Sequence, residues 1–135
     1  MNYITSRFTG LERVQIGQAR EQQFFDAFYK FPVELLDDVY RVERGTVYED
    51  LFLGIDGWVY TEYGRIPLQV TSSRDCVDKH VAARPNSDAV MITVYETDTP
   101  AEIQNMTMQR ISHRLERLRK KAILQERKEE EWARW

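Results

Sequence analysis

The chain has 135 residues and a formal net charge of -3, which predicts one globular domain and not a polycation, so any contact with nucleic acid needs a local basic patch. Hydrophobic residues make up 42% of the chain, an ordinary share for a globular protein. The single cysteine excludes an intrachain disulfide and a cysteine-based zinc site. Neither a signal-peptide pattern nor an apolar run of membrane-spanning length occurs, so we expect a cytoplasmic protein with no membrane partner.

The first predicted element is a helix that begins at a Thr9-x-x-Glu12 capping box and ends before Pro32. A charged glutamate on the packed face of this helix is costly unless it is paired or bound to a cation, which makes Glu21 a candidate site residue. The predicted packed face has residues at helical spacing: Leu11, Val14, Gln18, Glu21, Phe25 and Phe28.

A β-hairpin over residues 53–72 is the central prediction. Residues 39–42 precede it as a short strand, and residues 48–52 as a link or short strand. We place Asp56 early in the first hairpin strand, and Gln69 and Thr71 on one face of the second. The hairpin therefore brings an acid close to a polar pair.

Three elements follow the hairpin. Ser73 is a candidate cap for a second helix, and the apolar run 89–95 predicts a buried strand covered on both faces. Thr99-Pro100 begins a long helix. The order α, β, β-hairpin, α, β, α predicts an α/β fold with one mixed sheet flanked by helices, with residues 1–100 as the core and 101–135 as a charged C-terminal helix.

Glu21, Asp56 and Gln69 form the candidate site. Two carboxylates and an amide oxygen at one point provide the hard oxygen ligands that suit Mg²⁺ or Mn²⁺. Such an ion polarises a phosphodiester and lowers the pKa of a bound water.

These residues resemble a motif of the PD-(D/E)XK nuclease superfamily, in particular its Holliday-junction-resolvase-like members, which have a restriction-endonuclease-like core. The matching pieces are Gly17-x-x-x-Glu21, Gly54-Ile55-Asp56 and Gln69-Val70-Thr71-Ser72. The resemblance implies a Mg²⁺- or Mn²⁺-dependent DNA endonuclease.

The resemblance also implies roles for individual residues. Metal ligands would be Glu21, Asp56, Gln69 and the Val70 carbonyl, and the implied catalytic residues are Glu21, Asp56, Gln69 and Thr71. Thr71 occupies the position of the family lysine and brings no positive charge. Arg74 and Lys79 are candidate substitute cations.

The predicted C-terminal helix has six cations and one acid between residues 110 and 121. One interpretation is a contact with nucleic-acid phosphates, and the other is a solvated helix face. The long apolar stripe of this helix also predicts a homodimer. The candidate nucleic-acid-binding residues are Arg110, Arg114, Arg117, Lys120 and Lys121.

Ordinary structural roles stay open for the site residues. Asp56 could belong to a turn, Glu21 to a helix surface, and Gln69 and Thr71 to an exposed sheet face. Three functions therefore compete: a metal-dependent DNA endonuclease, an inactive nuclease-fold subunit that binds DNA or assembles with a partner, and a regulatory interaction protein that binds no nucleic acid.

Overall fold

A computed structural model describes residues 10–83 and 87–134, except the side chains of residues 74–76. The fold is α/β, with a four-stranded mixed sheet flanked by helices and a long C-terminal helix, as predicted. Its elements, in chain order, are α1 (Gly10–Tyr29), β1 (Val39–Arg44), a π-helical turn (Glu49–Leu53), β2 (Gly57–Thr61), β3 (Gly64–Thr71), α2 (Arg74–Ala83), β4 (Val90–Thr93) and α3 (Pro100–Ala133).

The strands lie in the order β1-β2-β3-β4. The first three are antiparallel neighbours, and β4 pairs parallel to β3 after the crossover through α2. Gly64 adopts φ 114° in the tight hairpin turn between β2 and β3, a conformation that glycine tolerates best. The Thr61 hydroxyl donates a 2.6 Å hydrogen bond to the Gly64 carbonyl and holds this turn closed.

The core forms where α1 and α3 pack together against the sheet. Alternating residues of β3 supply the buried side of the sheet, because successive strand residues point to opposite faces. Among the described residues, seventeen hydrophobic side chains form the buried cluster. The largest fully buried ones are Phe24, Phe25, Ile66, Leu68, Ile92, Ile103, Ile111 and Leu115.

Several sequence predictions need correction. Leu11 and Val14 are 70% and 56% exposed, because the sheet and α3 cover only the later part of α1. Residues 48–52 are helical and not extended. The predicted strand over residues 89–95 is not buried on both faces: the residues of β4 alternate between buried and half-buried, because successive residues point to opposite faces and one face is covered less fully. The predicted capping residue Thr9 lies outside the described residues.

The start of α3 agrees with its prediction. The Thr99 side chain accepts a hydrogen bond from the Glu102 backbone, while the Glu102 carboxylate accepts one from the Thr99 backbone, and Pro100 follows the cap. Burial on α3 ends with Leu115, and Leu118 packs partly against the core. None of the described helices has the length and apolar character needed to cross a membrane.

Candidate metal site

The β2–β3 register places Asp56 at the open end of the hairpin. Asp56 immediately precedes β2 and is not part of it, but its main-chain N–H still donates to the Leu68 carbonyl at 2.8 Å. Its carboxylate oxygen Oδ2 accepts a 2.7 Å hydrogen bond from the Val70 N–H. Only 3% of Asp56 is exposed, so the hairpin holds this acid in a fixed and largely dry position.

The π-helical turn supplies a second acid, Asp50. A reciprocal capping box begins the turn: Thr46 N–H donates to the Glu49 carboxylate at 2.8 Å, and Glu49 N–H donates to the Thr46 hydroxyl at 3.1 Å. The Trp58 indole N–H donates to Glu49 at 2.7 Å, and Gly54 ends the turn at φ 66°. This framework fixes the turn that carries Asp50.

Glu49 is already committed to this framework. The hydrogen bond from the Thr46 main chain is the largest of several effects that lower the pKa of the Glu49 carboxyl. Its two oxygens accept bonds from Thr46 and Trp58. Glu49 is therefore an ionised structural acid, and its neighbour Asp50 is the acid available at the site.

The third acid is Glu21 on α1. One carboxylate oxygen from each of Glu21, Asp50 and Asp56 lies within 4.8 Å of the other two. Opposite ligands of Mg²⁺ are about 4 Å apart, so this spacing is close to that of a cation site made of oxygen ligands.

The electrostatics of this cluster favour either a proton or a cation. Burial is the largest cause that raises the pKa of Asp56 to about 9, followed by a hydrogen bond with Asp50 and the charge of Glu21. Burial and Asp50 also raise the pKa of Glu21, against the opposing charge of Arg44. At neutral pH a proton therefore resides on Asp56, and a bound cation would have to displace it.

Arg44, at the end of β1, is the cation that the structure places beside the acids. Its Nε lies 3.8 Å from Glu21 Oε1, and its Nη1 donates to the Gln22 side chain at 3.2 Å. Its guanidinium carbon also lies 4.8 Å from the centre of the Phe25 ring. These contacts hold a positive charge at the edge of the carboxylate cluster.

Thr71 and Gln69 are the polar pair predicted on one face of β3. Thr71 is buried, and its hydroxyl lies 3.2 Å from the Thr93 hydroxyl on β4. Gln69 is half-buried, and its Oε1 atom is buried without a hydrogen-bond partner among the described residues. Val70 touches the cluster through its N–H, which is bound to Asp56. The structure thus brings together Glu21 and Asp56, whereas the Thr71 hydroxyl is directed to the β4 strand.

The candidate substitute cations lie on α2. Lys79 is exposed, and the side chain of Arg74 lies outside the described part of the chain. Arg44 is a cation described beside the acids, and the roles of Arg74 and Lys79 stay predictions.

In the basic segment of α3, residues 110–121, some cations form ion pairs and others do not. Arg114 binds the Asp88 carboxylate at 3.0 Å, Arg119 pairs with Asp38, and Lys120 lies 3.8 Å from Glu116. Among the described residues, three predicted nucleic-acid contacts are exposed and form no ion pair: Arg110, Arg117 and Lys121.

Sequence reasoning missed Asp50 and Arg44. For Asp50 a signal existed, because Thr46-x-x-Glu49 followed by Gly54 is the pattern of a short capped helix with Asp50 in its first turn. For Arg44 no local pattern existed, because its approach to Glu21 depends on how α1 packs against the end of β1.

Comparisons with protein-family models, with curated proteins and with solved structures find no match to this chain. Membership of the PD-(D/E)XK superfamily therefore stays a prediction from the motif.

Proposed function

We propose that this protein binds a divalent cation, Mg²⁺ or Mn²⁺, and acts as a metal-dependent endonuclease on DNA. The observation that carries the proposal is the convergence of Glu21, Asp50 and Asp56 from three separate elements. All three ligands are carboxylate oxygens, the type that these hard cations prefer. Gln69 stays a predicted ligand from the motif, and its buried Oε1 lacks a hydrogen-bond partner among the described residues.

The raised pKa of Asp56 supports a ligand role. A buried carboxyl beside two further acids is stable only when it is protonated or when a cation balances the charge. Deprotonation of Asp56 supplies the negative charge that a cation needs, so affinity should rise with pH.

A bound cation would polarise the scissile phosphate and make an attacking hydroxide accessible near neutral pH. Glu21, Asp50 and Asp56 would hold and orient it. Arg44, next to Glu21, supports a second role, because a fixed guanidinium can stabilise negative charge that develops on phosphate oxygens. Arg44 is thus our candidate for the charge that Thr71 lacks.

The test is cleavage of single-stranded, duplex, flapped and four-way-junction DNA in Mg²⁺ and in Mn²⁺. We expect cleavage by the native chain, loss of cleavage in Asp56→Asn and Asp50→Asn, and no change in Asp78→Asn. Asp78 is the matched control because it is an exposed acid on α2. Cleavage that survives in both site variants would refute the proposed active site.

Cation binding has its own test, which separates the site from the reaction. Titration calorimetry with Mn²⁺ should show binding to the native chain and to Asp78→Asn, and weaker binding to Asp50→Asn. Binding without cleavage would retain the metal site and remove the nuclease. No Mn²⁺ binding at pH 8 would remove both.

The second candidate is an inactive nuclease-fold subunit that binds DNA. The observation favouring it is that Thr71 replaces the family lysine and its hydroxyl is engaged with Thr93. It predicts salt-sensitive DNA binding that weakens in Arg110→Ala and Arg117→Ala, without cleavage. An increase of cleavage in Thr71→Lys would count against it, because that result needs an otherwise complete site.

Absence of both DNA binding and Mn²⁺ binding would leave the third candidate, an interaction protein that acts without nucleic acid.

A further inference from the structure

Four exposed cations of α3 share one side of the helix. Each of them forms no ion pair among the described residues. At about 100° per residue, their positions lie within about 20° of one direction around the helix axis. We call these four residues the basic row: Arg110, Arg117, Lys121 and Lys128.

No acid of α3 interrupts the basic row. Between residues 110 and 128 the acids are Glu116 and Glu126. They lie about 120° and about 160° from the direction of the row. Arg114 lies about 40° from the row, but it is bound to Asp88 at 3.0 Å and is not counted in it. Residues 129–131 are three glutamates, so the row ends at Lys128.

The length of the basic row suits a duplex of nucleic acid. Arg110 and Lys128 belong to one continuous helix and are about 27 Å apart along its axis. Each strand of duplex DNA carries one phosphate for every 3.4 Å of axis, so this length corresponds to about eight base pairs. From residue 116 to residue 128 no position of the helix is fully buried, so a ligand can approach the row.

We propose that the basic row binds a duplex arm of the DNA substrate through its phosphates, with α3 lying along the arm. The charge of the row is opposite to that of the DNA backbone, and each side chain would displace counterions from a phosphate. Contacts of this kind give affinity and orientation without sequence preference. The inference rests on DNA being the substrate of the proposed function, but it does not involve Glu21, Asp50 or Asp56.

Charge removal on two sides of the same helix tests the row. The test variant is R117Q/K121Q, and glutamine keeps a helix propensity close to that of the replaced residues. The matched control is K120Q/R127Q, which removes the same charge from exposed positions about 80° and about 100° from the row. Lys120, a predicted contact, pairs with Glu116 and belongs to the control side.

Fluorescence anisotropy with a duplex of about 16 base pairs, twice the length of the row, measures binding over a series of salt concentrations. A chelator is present, so that no cleavage occurs. We expect R117Q/K121Q to lose about tenfold in affinity and to lower the slope of log K against log salt by about 2, because each lost phosphate contact removes about one. K120Q/R127Q should lose less than about threefold, because its two cations face away from the duplex.

An equal loss in the two double variants would refute the row, because a general effect of net charge does not depend on the side of the helix. A native chain that does not bind the duplex would refute it as well. Vesicles that contain phosphatidylserine test the other polyanion. If only they bind, and R117Q/K121Q weakens that binding, the DNA arm is overturned in favour of an anionic membrane surface. Far-UV circular dichroism shows whether each variant is folded.

Cleavage assays separate this inference from the proposed nuclease. A native chain that binds the duplex along the row and does not cleave it would retain the row and remove the nuclease. A native chain that cleaves DNA, with binding and cleavage equally affected in R117Q/K121Q and K120Q/R127Q, would retain the nuclease and overturn the row.

Discussion

The Asp56→Asn substitution keeps the shape of the side chain and an oxygen that can accept the Val70 N–H, but it removes the titration of the group. The native carboxyl has an ordinary pKa of 3.8, which the fold raises to about 9. Between these values the folded chain retains a proton that the unfolded chain releases. Stability therefore falls as pH rises, and it falls most steeply over this interval.

The magnitude follows from linkage. One proton held only by the folded state changes the free energy of unfolding by about 1.4 kcal/mol per pH unit, or about 4 kcal/mol between pH 5 and pH 8. The raised pKa of Glu21 adds a change of the same sign. Asp56→Asn should remove most of this dependence of the free energy of unfolding on pH. It should also be more stable than the native chain at pH 8 without a divalent cation.

Urea unfolding at pH 5, 6, 7 and 8 in the presence of a chelator measures the effect. Asp78→Asn, which changes an exposed acid on α2, should keep the native slope. Adding Mn²⁺ at pH 8 should stabilise the native chain by about 2.7 kcal/mol at 100 times the dissociation constant, and should stabilise Asp56→Asn less. A native slope that persists unchanged in Asp56→Asn would refute the assignment of the proton to Asp56.

Further predictions concern the framework of the fold and the site. Gly57→Ala should destabilise the fold by about 1–3 kcal/mol in thermal unfolding, because the added Cβ would lie 2.7 Å from a backbone oxygen and 2.8 Å from a ring carbon. Its matched control, Gly17→Ala, meets nothing within 4 Å in a helix and should stabilise by up to about 1 kcal/mol. Thr99→Ala should lower the free energy of unfolding by about 1 kcal/mol, because it removes the capping box of α3. A change near zero would contradict that role. Thr46→Ala should weaken Mn²⁺ binding in calorimetry more than it weakens global stability, because its hydroxyl fixes the turn that carries Asp50.

Local chemistry in the sequence was enough to predict α1, the hairpin and the start of α3, but not the helical turn that carries Asp50. The Gly64 turn and the strands around it were recognisable because a tight hairpin needs a residue that tolerates positive φ. The capping box at Thr99 and the adjacent Pro100 marked the start of α3. From these elements the proximity of Asp56 to the far end of the hairpin followed, and the bond between Asp56 and Val70 agrees with it.

Long-range packing decided what the sequence pattern could not. Leu11 and Val14 share the face of α1 that carries Glu21, yet they are exposed, because burial of that face depends on how far the sheet extends beneath the helix. Arg44 reached Glu21 through the placement of β1, which is remote in sequence from α1.

Sequence patterns therefore predict the order of the main helices and strands and mark Glu21 and Asp56 as candidate acids, since backbone propensities, caps and turns act over a few residues. Tertiary structure alone decided that Glu21, Asp50 and Asp56 converge, because each comes from a different element. It also decided that Thr71 is paired with Thr93, since that contact requires β4 to lie beside β3.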